Sequence, residues 1–395
     1  MKARNIEATF LHWTFLRATF HRGYTLTSSL YFVIVAHLSA TELLGLVVVI
    51  SAVYLVADIP LGAWSDTFSR KWPLVIGQLC LAACIIMTGL VRSFELLAIT
   101  QMLWALGWSF SMGADVAWVA DELDEPDRIA AVLTKRARRD LVGGAVGMIA
   151  FGTLAYSWSL APAIVCAGVG MALAAAFVAF RFPEDNFAPA TRRGVRASIA
   201  VLERGWAFAR RDPAITTMLL ATLIVNGAGV VVWLIPKRLV ALGFPNDPVL
   251  WYTGLLVVAS AAGVVALRLV ERRTRFLRAN YVVGCVLGAG GTMLLAAAPN
   301  ALIGSIGVIA LVGIAFEVTR AVSTIWVNER AASDVRATVL SFLSQAETVG
   351  EAIGSVLLAL LARASGIVPT LVAAGIAMAC AGVLVARQRI NTCAS

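Results

Sequence analysis

The sequence predicts an all-α membrane protein of twelve transmembrane helices, arranged as two six-helix halves related by a pseudo-two-fold axis. Three observations point there. Of the 395 residues 60% are hydrophobic and 14% charged, and the mean hydropathy is +0.85, whereas a soluble domain is about half apolar and about a quarter charged. The apolar residues form long continuous runs rather than alternating ones. That selects helices over a barrel, the other structure that satisfies its own backbone in lipid. One long polar stretch, Arg181 to Asp212, separates six such runs from six more.

A helix crosses the hydrocarbon with about 20 apolar residues. On that measure the spans fall at 14–37, 43–64, 73–92, 95–119, 141–159, 161–181, 213–236, 249–270, 280–298, 301–327, 338–362 and 365–386. The expected domains are an N-terminal half, 1–181, a cytoplasmic linker, 182–212, and a C-terminal half, 213–395. Within the linker, Val201 to Ala209 reads as an amphipathic helix on the membrane surface. With the N-terminus in the cytoplasm, the inside segments hold 24 Lys and Arg, the outside loops 4, and the spans the other 4. This bias fixes an even number of crossings, with both termini on the cytoplasmic side. The net charge of +9 then belongs to topology and the anionic leaflet, and no nucleic-acid partner is expected. The N-terminal stretch lacks the short apolar core and small-residue cleavage site of a signal peptide. Cys80, Cys84, Cys166, Cys285, Cys380 and Cys393 lie mostly in apolar runs and read as packing residues, not disulfides.

Between spans 2 and 3 the chain reads GAWSDTFSRK. Gly62, Asp66, Arg70 and Lys71 resemble the helix 2–3 signature of the major facilitator superfamily of secondary transporters, with Ser69 where a second Gly is usual. Pro73 suits the first turn of helix 3, and Gly62 would let another helix approach closely. The resemblance implies that Asp66 caps the start of helix 11 near Arg336 to Thr338. It also implies that Arg70 pairs with Asp121 at the end of helix 4, making this loop a cytoplasmic gate. The alternative is a solvated loop that merely obeys the charge bias. ADIPLGAWSD, SMGADVAWVADEL and RATVLSF are similar to segments of bacterial macrolide-type exporters of the drug:proton antiporter group. Those carry Glu-Ile-Pro-Thr-Gly where this chain has Asp58-Ile59-Pro60-Leu61-Gly62.

Ionisable residues at membrane depth are expensive and mark candidate sites. Asp115 could carry a proton or sit in an ion pair with Arg17 or Arg22. Asp58, beside Ile59 and Pro60, reads as structural. Arg17 is expected to snorkel to headgroups. His21 and Arg22, a turn deeper, could meet substrate or lie at the interface. In the second half Glu317 and Arg320 are three apart and can neutralise each other. Glu347 and Glu351 follow Gln345 and share a face of span 11, so a proton or a cation is expected between them. Gln101 and Asn226 read as interhelical hydrogen-bonding residues. Trp104, Trp108, Trp118 and Trp326 offer aromatic surface to a drug-like molecule.

There is no G-x-x-x-x-G-K-[ST] loop and no His/Glu metal motif, so neither ATP drive nor a metal or other cofactor is expected. The run Gly143-Gly144-Ala145-Val146-Gly147 lies inside span 5 and reads as a packing face. The expectation is a monomeric carrier, not an enzyme, that exports a small amphipathic or hydrophobic molecule in exchange for protons. A nutrient-uptake carrier and, further off, a polytopic membrane enzyme are the alternatives.

Overall fold

The computed structural model describes residues 2–188, 203, 206–272, 276–332 and 335–388, and every regular element among them is helical. The helices are α1 (Lys2–Ile34), α2 (Ala40–Thr67), α3 (Lys71–Leu90), α4 (Phe94–Ser111), α5 (Ala114–Leu123), α6 (Pro126–Ser157) and α7 (Leu160–Arg181). After the linker come α8 (Pro213–Gly229), α9 (Ile235–Leu242), α10 (Pro248–Glu271), α11 (Leu277–Ala297), α12 (Ala301–Val308), α13 (Phe316–Arg330), α14 (Arg336–Ser365) and α15 (Ile367–Arg387). A 3₁₀ turn, Val230–Leu234, joins α8 to α9, and a π-helical stretch, Ile309–Ala315, joins α12 to α13.

Among the described residues ten helical segments are long and apolar enough to cross a membrane. The other two expected spans fall on α1 and on the α4–α5 pair. Their side chains explain the difference. One face of α1 carries Glu7, Arg17, His21 and Arg22, while α4 is short and holds Glu95, Gln101, Trp104, Trp108 and two serines. The fourth crossing also breaks at Gly113, whose φ of +80° is costly for any residue with a Cβ. A new helix, α5, starts behind it.

Two helices begin earlier than expected. α1 starts at Lys2 and α6 at Pro126, turning most of the loop expected at 120–140 into helix. Pro126 occupies the first turn of α6, where its missing N–H is no loss, and Asp127 favours the positive end of the helix dipole. At 33 residues α1 is roughly 50 Å long, against about 30 Å of hydrocarbon. The overhang carries Glu7, which receives Lys135 Nζ at 2.5 Å and Arg128 Nη2 at 2.7 Å from α6. The Lys135 ammonium, bonded to it, holds the Glu7 carboxyl below its ordinary value of 4.5.

Contacts divide the chain into two compact units. One comprises Met1–Ser39, Val49–Thr191 and Asn246–Val257; the other comprises Ala40–Val48, Arg192–Pro245 and Val258–Ser395. In the first, α1 packs along α6, and α3 packs against α4 and α7. The glycine run of α6 is the packing face expected: a Cβ on Gly147 would drive into the Thr19 carbonyl of α1. An aromatic core of Phe10, Trp13, Trp118 and Phe182 closes the end of this unit near the α1 N-terminus. In the second unit α11 packs on α15 and α8 on α14, around Met218, Val225, Tyr281, Val322 and Trp326. Asp212 caps α8 by accepting from Ala214 N at 2.7 Å and Asn300 caps α12 through Ile303 N at 3.0 Å.

The five described cysteines are free; Cys393 lies outside the described residues. So do residues 201, 202, 204 and 205 of the expected linker helix, while 203 and 206–211 are helical and Trp206 packs edge-on against Phe342.

Gly147→Val should destabilise the protein by about 1–3 kcal/mol or more through overpacking at the α1–α6 contact, read as loss of the monodisperse folded peak in detergent. Glu7→Gln should melt about 1–3 °C below the parent at pH 7. A carboxyl depressed by its partners stabilises the fold above its ordinary value and loses that effect as pH falls through the depressed one. The gap between parent and variant should therefore close below pH 4.5.

Candidate functional site: charged clusters in the helical bundles

α2 runs to Thr67 and α3 begins at Lys71, so the connecting turn is only Phe68–Arg70. Arg70 pairs closely with Asp66 one turn back, and its Nε lies 3.4 Å from Asp121 Oδ2 at the end of α5. The contact expected between Arg70 and Asp121 is therefore made. Among the described residues nothing lies within 4 Å of where a Gly62 Cβ would sit, so the close helix approach expected there is not made.

Ser69, standing where a second glycine is usual, has its own use. Its hydroxyl donates to the Glu184 carboxylate at 2.9 Å and accepts from Trp72 N at 3.0 Å. Glu184 also accepts from the backbone N–H of Arg70 at 2.6 Å and of Lys71 at 3.1 Å, placing a negative charge on the exposed N–H groups that open α3. The segment around Glu184 is fastened at two further points. Trp118 Nε1 donates to Pro183 O at 2.8 Å, and Asn186 N donates to Glu122 at 2.9 Å. Sequence reading missed Glu184. Its signal was an acid directly after Pro183, just past span 6.

Asp115 opens α5 and is buried, 3% exposed. Its Oδ1 accepts from Val116 N, and its Oδ2 meets Arg136 of α6 closely and Arg17 Nη1 of α1 at 3.6 Å. Arg17 also reaches Asp140 at 3.9 Å and lies over the rings of Trp13 and Trp108 at 4.7 and 5.4 Å. Arg17 is thus 6% exposed and does not snorkel to headgroups, because two carboxylates and two indole faces hold it inside. Asp115 takes the ion-pair alternative, with Arg17 but with Arg136 rather than Arg22.

The same face of α1 continues into an aromatic ladder. His21 stacks on Trp104 at 5.1 Å and meets Trp108 edge-on at 5.0 Å; Tyr24 follows at 5.0 Å from Trp104. Gln101 Nε2 donates to Tyr24 Oη at 3.1 Å, the interhelical bond expected of it. Arg22 is exposed and its stem runs over Gly144 of α6. Asp58 of α2 accepts closely from Ser109 of α4.

In the second unit Arg320 Nη2 lies 3.5 Å from Glu347 Oε2. This corrects the expected Glu317–Arg320 pair: Glu317 is exposed and its stem lies across Gly263 of α10, while Arg320 turns to α14. Glu351 sits one turn beyond Glu347 on α14, and among the described residues Arg320 is paired with Glu347. Asn226 donates to Thr222 O of its own helix at 2.9 Å, not to a neighbour. Trp118 and Trp326 are core residues at 0% and 8% exposure, leaving Trp104 and Trp108 as the half-buried pair. Among the described residues no three His, Cys, Asp or Glu side chains gather as metal ligands.

A family model described as Major Facilitator Superfamily matches residues 9–355. No curated protein matches the sequence. Among solved structures, the nucleoside transporter NupG superposes with a TM-score of 0.80 at 12% identity, over 98% of this chain and 100% of that one. The peptide transporter POT in complex with sulfate gives 0.72 at 15%, over 98% and 97%. A bacterial homolog of the human lysosomal transporter Spinster, inward-facing and unoccupied, gives 0.69 at 14%, over 98% and 95%. These likenesses show a shared fold.

Asp115→Asn leaves Arg17 and Arg136 facing a weaker partner in a buried site. It should cost about 3–5 kcal/mol and lower the folded yield sharply, read by fluorescence-detected size exclusion. Glu184→Ala should lower the melting temperature through loss of the charge that caps α3, an effect of about 1 kcal/mol read in the same detergent extract.

Proposed function

Since the chain belongs to the Major Facilitator Superfamily, and is therefore a multi-pass membrane transporter rather than an enzyme, we propose that it exports a small amphipathic or hydrophobic compound. Inward proton flow drives the cycle by alternating access of the two halves, 1–181 and 213–395, joined by 182–212. The observation that carries the reading is the pair Glu347 and Glu351. Two carboxylates lie one helical turn apart on α14, with Arg320 Nη2 3.5 Å from Glu347. Two ionised carboxylates beside one cation leave a net negative charge in an apolar bundle, which a proton or a cationic group of the substrate offsets.

Export is supported by the similarity of the spans 2, 4 and 11 segments to bacterial exporters and by the half-buried Trp104, Trp108 and His21 faces. Such faces suit flat or cationic molecules. His21, Arg22, Glu317 and Arg320 are assigned to substrate contact. Asp115 and Asp58 hold the first unit together, and Gly62, Asp66, Arg70, Lys71 and Asp121 serve the cytoplasmic gate. The 24-to-4 distribution of Lys and Arg supports a bacterial inner membrane with both termini inside. The protein works as a monomer.

Growth inhibition of cells with and without the gene, across antibiotics and metabolites, should reveal protection against at least one amphipathic compound. In everted vesicles that compound should evoke proton release from the lumen. Glu347→Gln and Glu351→Gln should abolish this release while leaving the folded yield unchanged. Sensitisation instead of protection, or uptake of nucleosides or peptides by intact cells, would assign the chain to import.

A further inference from the structure

Between α4 and α6, α1 keeps an open face that carries His21, Arg22, Thr25 and Ser29, all exposed or half-buried. On one side His21 meets Trp104 and Trp108 of α4. On the other the Arg22 stem crosses α6 at Gly144, where a Cβ would lie 3.1 Å from Arg22 Cγ. All these residues belong to the first unit.

Helix packing does not explain Gly144. The glycines that press α6 onto its neighbour are Gly143 and Gly147, where a Cβ would strike the Phe15 and Thr19 carbonyls of α1. In the second unit Gly350 and Gly354 of α14 do the same at the Leu223 and Gly227 carbonyls of α8. The two units thus repeat one contact, glycines four apart against carbonyls four apart. The residue after the first of these glycines is Gly144 in α6 and Glu351 in α14. That place in the repeat tolerates a side chain. In the first unit the side chain is given up, and the Arg22 stem takes the room.

Arg22 carries a charge that nothing nearby cancels. Beside it Arg17 and Arg136 stand against Asp115 and Asp140, two charges of each sign. Asp58, the other acid that reaches α4, accepts from Ser109. Arg22 makes no ion pair among the described residues, and a lone charge on a spanning helix marks a ligand path. The aromatic wall narrows the choice. Arg17 already holds a cation's place over the Trp108 ring, 5.4 Å from its centroid, so the wall has less to offer a ligand cation and keeps its open surface for a flat ring.

We propose that this face takes an aromatic carboxylate. The ring lies against Trp104, Trp108 and His21, and the carboxylate takes the Arg22 guanidinium through paired hydrogen bonds. The ligand is flat and anionic, which narrows the substrate of the transport reading; the proposal rests on that reading only in treating His21 and Arg22 as substrate contacts.

Calorimetry on the purified full-length protein in detergent tests this without transport. The probes are salicylate, indole-3-acetate and 1-naphthoate, with 1-naphthylmethylammonium and cyclohexanecarboxylate as controls. At least one aromatic carboxylate should bind about tenfold tighter than both controls. Arg22→Gln should weaken that binding about tenfold, and Arg22→Lys should recover part of the loss. The melting temperature of Arg22→Gln should stay within about 1 °C of the parent, since no partner is lost. Gly144→Glu, which sets the acid of the other unit beside Arg22, should weaken binding at least as much. Tighter binding of the ammonium, no binding of any of the three acids at about 1 mM, or an unchanged affinity in Arg22→Gln would overturn the proposal. So would binding that is lost in phosphatidylglycerol nanodiscs and returns in phosphatidylcholine ones, because the guanidinium would then serve a lipid phosphate. If proton-driven export fails while these acids bind, the transport reading falls and the ligand class stands.

Discussion

Every charge inside these bundles must find a partner there, because the surroundings offer none. Taking an ion out of water costs several kcal/mol even after the protein relaxes. The first unit meets this demand in full around Asp115, where Arg17 and Arg136 converge, Asp140 takes the second arm of Arg17, and indole faces cover what is left of the guanidinium. The position of α5 follows from it. The break at Gly113 turns the chain so that Asp115 opens a helix and points its carboxylate at α1 and α6. In the second unit an exposed Arg320 reaches Glu347 at 3.5 Å, and Glu351 lies one turn beyond. The buried node thus holds structure, and the pair is the one given to proton exchange in the proposed cycle.

The end that carries the α2–α3 turn repeats the principle at the surface. Glu184 closes the N–H groups of α3 and Arg70 is shared by Asp66 and Asp121. Glu7 gathers Lys135 and Arg128 from the overhang of α6. Apart from the local Arg70–Asp66 pair, these contacts join segments far apart in the chain, so the turn between α2 and α3 is held from outside as well as by its own residues.

Much of this was legible in the sequence, for physical reasons that differ from place to place. The spans follow from apolar run length, and the pairing of Arg70 with Asp121 comes from the resemblance of the short charged turn between two of them to the family signature. The burial of Arg17 was not legible, because a lone basic residue near the end of a span has the same local signature whether it snorkels or pairs. Only the long-range approach of Asp115, Asp140 and Trp108 decides it. The pairing of Arg320 failed for the converse reason. Its neighbour three residues away satisfied a local rule, while the actual partner lies on another helix. The overhangs of α1 and α6 were hidden because polar residues in a helix beyond the bilayer look like loop.

The π-helical stretch in the tenth crossing, Ile309–Ala315, carries the chain from α12 to α13 without a proline in it. Such a stretch winds more residues per turn than the helices at either end. In effect it is a one-residue insertion absorbed without breaking the rod, and each residue of α-helix turns the chain by about 100°. Gaining or losing that residue would bear on everything beyond it, the charges of Glu317 and Arg320 together with the buried Val322 and Trp326. The direction in which this helix presents its charges is therefore set jointly with the face it packs into the core.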